Sequence, residues 1–325
     1  LIFRTAMNPD KPFGSLNSPE HLAAARQIAG EGMVLLKNDN AVLPFDLDKI
    51  KTVAVVGENA IKMMTVGGGS SSLKVQKEYT PLEGIRRYVG DRAEVIYERG
   101  YVGDVTGDYN GVKTGQDLTE SRSAQQLIDD AVAAARKADA VVFVGGLNKS
   151  DHQDCEGADR LSLGLPYGQD AVIEALATAN PNLAVLNISG NAVAMPWVER
   201  VPAVMQTWFL GSEAGNAIAE VLFGEVNPSG RLPFTFPVRL EDNSAHALGQ
   251  WPGDGINVTY NEGIFVGYRW ADTKRIKALF PFGHGLSYTT FAYGEPKLSK
   301  RSLSADGRLT LSVEVTNTGE REGAE

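Results

Sequence analysis

Three carboxylates and an arginine fall within the run Asp154-Cys155-Glu156-Gly157-Ala158-Asp159-Arg160, directly behind Lys149-Ser150-Asp151-His152-Gln153. Carboxylates this close can divide acid and base work, because burial or a neighbouring charge moves one pKa away from another. The commoner fate of such a run is a solvated surface loop, and the residue types alone leave both readings open. A metal site built from His152, Asp154, Cys155 and Glu156 would mix hard and soft ligands without a recognised spacing, so no metal is expected.

The elements that must position this run are legible around it. Ala140-Val141-Val142-Phe143-Val144, closed by Gly145-Gly146, has the continuous apolar character of a buried strand. A strand that empties into a polar loop at its carboxyl end is where open α/β sheets carry their ligand chemistry. Further strands are expected at Lys51 to Val56, Ala93 to Tyr97, Leu183 to Ile188 and Ala203 to Trp208. Helices are expected around Leu82 to Tyr88, Ala124 to Lys137, Tyr167 to Thr178 and Ser212 to Phe223, with Gly224 as a stop. Ser18-Pro19-Glu20 reads as a capped helix start, and Leu22, Ala25, Ala29, Met33 and Leu36 follow at helical spacing. Strand and helix alternation predicts an α/β fold, a mostly parallel sheet sandwiched by helices.

A second loop at a strand's carboxyl end, 57–80, contains Gly67-Gly68-Gly69-Ser70-Ser71-Ser72. Gly57-Glu58-Asn59-Ala60 lacks the later glycines of a dinucleotide fingerprint, and the glycine run lacks a P-loop lysine, so nucleotide cofactors are not expected. Ser70 and Ser71 are hydroxyl donors at a strand's carboxyl end, weighed against a plain flexible turn. Met63 and Met64 suit core filling better than a ligand wall. Tyr260, Phe265, Tyr268, Trp270, Phe280, Phe282, Tyr288 and Phe291 crowd a glycine-rich stretch; they read as packing anchors, and His284 as a hydrogen-bonded structural residue.

Composition narrows the partners. With 43% hydrophobic and 22% charged residues the chain can bury a core, and a net charge of −9 disfavours nucleic acid or an anionic membrane. No apolar run approaches the roughly 18 residues of a membrane span. Cys155 is the only cysteine, so an intrachain disulfide is impossible. The chain opens without an initiator methionine, and Leu309 to Gly319 alternates like a half-buried strand that cannot form a sheet alone. It is expected to be part of something longer.

Several blocks, in order, resemble the C-terminal half of family 3 glycoside hydrolases, the β-glucosidases and β-xylosidases. They are Glu31 to Asn38, Gly67-Gly68-Gly69-Ser70, Glu156-Gly157-Ala158-Asp159-Arg160, Leu222 to Pro233, and Phe280-Pro281-Phe282-Gly283-His284-Gly285-Leu286-Ser287-Tyr288. Gly32 departs from the serine common in the family. The resemblance implies four regions: 1–17 as a linker from an N-terminal (β/α) barrel not in this sequence, and 18–240 as an α/β sandwich domain with the acid/base loop. It makes 241–292 an aromatic connection and 293–325 the start of a fibronectin type III-like domain.

The same resemblance implies a retaining, exo-acting β-glycosidase, a β-glucosidase ahead of a β-xylosidase, acting on oligosaccharides or aryl and alkyl β-glycosides. Glu156 is then the general acid/base, with Asp154 the alternative acid or a substrate-binding residue beside Ser70 and Ser71. The nucleophile would lie in the barrel, so this chain by itself is expected to be inactive. Related N-acetylglucosaminidases mostly draw their acid/base from the barrel, so the Glu156 motif points to glucosidase or xylosidase. Asp159 and Arg160 would brace the loop by pairing with each other or with backbone. The expected compartment is the periplasm or cell exterior rather than the cytoplasm. A non-catalytic carbohydrate-binding or structural module on the same fold is the competing reading.

Overall fold

Every residue of Ala140–Gly146 is buried, because this strand lies inside a six-stranded sheet with helices on both faces. The computed structural model describes residues 1–325 apart from 12–13, 66–72, 74 and 106–112. In chain order the sheet strands are β1 (Val34–Asn38), β2 (Thr52–Val56), β3 (Glu94–Glu98), β4 (Ala140–Gly146), β5 (Leu183–Ile188) and β6 (Ala203–Gln206). Their spatial order is β1-β6-β5-β4-β2-β3. All adjacent pairs are parallel except β1 with β6.

The pleat sorts each strand's residues between two cores. Ala54, Val56, Val141, Phe143, Val185 and Val204 face one way. There they meet Ala131, Ala134 and Ala135 of the helix Ala124–Lys137 and Val172, Ile173 and Leu176 of the helix Gln169–Ala179. Val53, Val55, Val142, Val144, Ala184 and Leu186 face the other way. They pack on the helices Pro19–Gly32, Pro81–Val89 and Ala214–Leu222. The helix starts are capped as their sequences predict: Ser18 accepts from His21 N, Thr80 from Glu83 N, and Ser123 forms a reciprocal box with Gln126.

One expectation fails. The helical spacing that seemed to run to Leu36 breaks at Gly32, and Val34-Leu35-Leu36 become the antiparallel edge strand β1. Val34 joins one core and Leu35 the other, the alternation of a strand. Met33 and Leu36 are buried as an amphipathic helix would also require, so periodicity could not separate the two.

After β6 the chain returns to the sheet. Phe236 of β7 (Phe236–Pro237) and Phe280 of β8 (Ala278–Phe280) pair antiparallel and both enter the core. His284 stacks on Phe280 and places Nε2 2.8 Å from the Leu36 carbonyl, a structural role. Tyr260, Phe265, Tyr268 and Phe282 are exposed, so not every aromatic of this stretch is a packing anchor. Beyond it, Phe291–Tyr293 pairs with Val315–Asn317, and Lys297–Leu298 with Leu311–Ser312. Among the described residues no helix is long and apolar enough to cross a membrane.

Candidate active site

The loops that follow β2, β4, β5 and β6 gather at the carboxyl edge of the sheet, and the acidic run stands among them. Its stem begins at Leu147, whose N–H donates to the Ile188 carbonyl at 2.7 Å. Gly146 has φ +113, and a Cβ there would lie 2.1 Å from the Ile188 oxygen. Glycine is thus the residue that lets β4 turn outward beside β5.

Asp154 is part of the stem. Its carboxylate accepts the Gly190 N–H at 2.6 Å and the Asn191 amide at 2.8 Å, while its own N–H donates to the Asn148 carbonyl at 3.0 Å. From there the chain arches outward. His152, itself at φ +61, brings Nδ1 to 2.9 Å from the Asp159 carbonyl and closes the arch. Gly157 turns it at φ +87 with open space around its Cα. Glu156 is exposed on this arch.

Arg160 braces the far side. Its guanidinium donates to the carbonyls of Ala192 at 2.7 Å, Leu163 at 3.0 Å and Ser162 at 3.1 Å. Burial pulls its pKa below the usual arginine value. Of the two bracing modes expected for Arg160, backbone pairing is the one the geometry contains; Asp159 stays exposed.

Beside the arch lies a cleft of about 730 Å³ lined by Lys149, Asp154, Arg160, Asn191, Phe209 and Trp251 among others. Lys149 sits 3.6 Å from the centroid of the Phe209 ring, and burial lowers its pKa. The lining combines the Phe209 and Trp251 rings with the Asn191 amide and the Lys149 and Arg160 cations. No group of three or more His, Cys, Asp or Glu among the described residues is placed to hold a metal ion. Ser70 and Ser71 lie outside the described residues. Met64 is buried in the core, as a filling residue would be.

Sequence reading missed a buried ionic chain below the arch. Glu58 lies two residues past the end of β2 and Arg99 one past the end of its partner strand β3, and they meet at 2.7 Å. Lys62, 1% exposed, lies 3.2 Å from Glu58 and 3.3 Å from Asp104. The available signal was positional: a charge within two residues of the end of each of two adjacent parallel strands.

With this geometry in view, the comparisons with known proteins are specific. The family model described as Glycosyl hydrolase family 3 C-terminal domain matches residues 33–288. Beta-glucosidase BoGH3A of Bacteroides ovatus is 50% identical over 332 aligned residues, which take in 100% of this chain and 44% of that protein. Thermostable beta-glucosidase B of Acetivibrio thermocellus is 38% identical over 98% of this chain and 40% of its own length. A crystal structure of a beta-glucosidase from Kluyveromyces marxianus superposes with a TM-score of 0.84 at 25% identity, covering 99% of this chain and 54% of that one. The chain therefore spans less than half the length of these two curated relatives. It belongs to glycoside hydrolase family 3, of which it carries the C-terminal α/β domain.

Proposed function

We propose that this chain is the acid/base-bearing half of a retaining, exo-acting β-glucosidase, with Glu156 as the general acid/base. A retaining glycosidase needs two carboxyl groups about 5–5.5 Å apart, one attacking the anomeric carbon and one first protonating the leaving oxygen and then deprotonating water. The observation that carries the choice of Glu156 is the division of labour in the loop. Both Asp154 oxygens are engaged in the stem by Gly190 and Asn191, whereas Glu156 rides exposed on the arch that this stem supports.

The rise in pKa that acid catalysis requires would come from the nucleophile's charge and from burial when another part of the protein covers the arch. The nucleophile is assigned to a (β/α) barrel outside this sequence. Glucose is the expected sugar because BoGH3A, the thermostable enzyme and the Kluyveromyces protein all bear the name beta-glucosidase. The short antiparallel strands beyond residue 290 support a fibronectin type III-like domain beginning there.

The test is Glu156→Ala in the full-length protein. Activity on phenyl β-glucoside should fall by about a hundredfold or more, and far less on 2,4-dinitrophenyl β-glucoside, whose leaving group needs little protonation. Azide should restore part of the lost turnover. Equal losses on both substrates would remove Glu156 from this role. The chain by itself should hydrolyse neither substrate.

A further inference from the structure

Strands β2 and β4 are neighbours, yet their connections part company: β2 leads to β3 on one side and β4 to β5 on the other. The crevice at such a divergence is where open parallel sheets usually hold a ligand. Here the protein's own charges fill it. Arg99 donates to Glu58, Lys62 donates to both Glu58 and Asp104, and signs alternate along the chain. Glu58, Lys62 and Arg99 are 1%, 1% and 5% exposed.

Asp104 is the end of this chain that reaches the arch. One of its oxygens, Oδ2, accepts the Asn148 amide at 2.9 Å and the Ser150 hydroxyl, both in the stem that leaves β4. The Tyr167 hydroxyl, on the far side of the same loop, donates to Asp104 at 3.3 Å. Gln153 closes the ring, accepting from Asn148 N at 2.9 Å and donating to the Tyr167 hydroxyl at 2.7 Å. A single carboxylate on the segment after β3 thereby holds the outgoing and the returning ends of the loop that carries Glu156.

We infer that Asp104 is the positioning residue for Glu156, a clamp that fixes the arch relative to the sheet through Lys62, Glu58 and Arg99. The inference rests on reading Glu156 as the acid/base. Physical economy supports it: buried ion pairs are seldom more stable than apolar side chains of the same volume, so charges kept here serve placement better than stability. Placement matters because an error of about 1 Å in a reacting group can cost about a hundredfold in rate.

The experiment uses the full-length protein. Asp104→Asn keeps the shape but leaves one acceptor oxygen for four donors. It should lower kcat on phenyl β-glucoside by about ten- to a hundredfold with KM within about twofold, and lower kcat on 2,4-dinitrophenyl β-glucoside by less than about threefold. The double variant Asp104→Asn/Glu156→Ala should be no slower than Glu156→Ala alone, since a positioning residue has nothing left to position. Amides of residues 148–160 should also exchange faster with solvent deuterium. Tyr167→Phe removes two bonds of the clamp without touching a charge, and should give the same pattern more mildly if Asp104→Asn fails to fold.

Additive losses in the double variant, or unchanged exchange in the loop, overturn the clamp. If Glu156→Ala itself fails to discriminate between leaving groups, the acid/base reading falls, and the exchange measurement separates that failure from the clamp's.

Discussion

The Asp154 carboxylate takes the Gly190 backbone N–H at 2.6 Å, so the loop after β4 is tied to the loop after β5. That bond makes Asp154 a strut of the arch and separates its work from that of Glu156, two residues further on. It also places the arch's footing on two parallel strands, β4 and β5, whose register runs from Val141↔Leu183 to Gly146↔Ile188.

Asp154→Ala removes two charge-assisted hydrogen bonds from a half-buried position. Allowing for its exposure, stability should drop by about 1–3 kcal/mol, read from the urea midpoint. In the full-length protein its activity loss should be the same on phenyl and on 2,4-dinitrophenyl β-glucoside. A loss confined to the poorer leaving group would transfer the acid role to Asp154.

Glu58 is enclosed between two cations. Glu58→Gln leaves Arg99 and Lys62 buried against a neutral amide, a change expected to cost about 3–5 kcal/mol in this chain. Equilibrium urea unfolding measures it directly. A cost below about 1 kcal/mol would mean that water reaches the crevice and shields both cations.

Burial raises the pKa of Glu78 more than the N–H groups of Met64 and Thr65 that donate to it lower it. A carboxyl with a raised folded pKa binds its proton more tightly in the native state. Its stabilising contribution is therefore complete below the ordinary carboxylate range, near 4.3, and is lost as pH rises through the raised value. Glu78→Gln retains an oxygen for both donors and removes the titration. The melting temperature of the parent, relative to that of Glu78→Gln, should fall as pH is raised from about 4 to 7.

Two glycines of the site should respond in opposite ways to alanine. At Gly146 the new Cβ would meet the Ile188 carbonyl at 2.1 Å, so Gly146→Ala must shift β4 against β5 and unfold well below the parent. At Gly157, φ is +87 but nothing lies within 4 Å, so only backbone strain of about 1–2 kcal/mol is added. Strain on the exposed arch should move Glu156 while the melting temperature falls by only a few degrees, roughly 2–4 °C per kcal/mol. Calorimetry on both variants, with glycosidase assays on the full-length protein, separates the two effects.

Much of the scaffold was legible in the chain because it is written locally. The apolar run at 140–146 and the helical pattern of Ala124 through Lys137 need no distant partner to be recognised, and the structure places them within a residue or so of expectation.

What the sequence determined by itself was therefore the alternation of strands and helices and the family. Tertiary structure alone decided the rest. Val34-Leu35-Leu36 became a strand because β6, distant in sequence, supplies the ladder that a continued helix would have lacked. Asp154 became a strut because Gly190 and Asn191 arrive from the next parallel strand. Asp104 gained its clamp from Asn148, Ser150 and Tyr167 across the β2–β4 divergence. Periodicity and capping report a residue's own neighbours along the chain, whereas a carboxylate's role is set by the donors that folding brings to it.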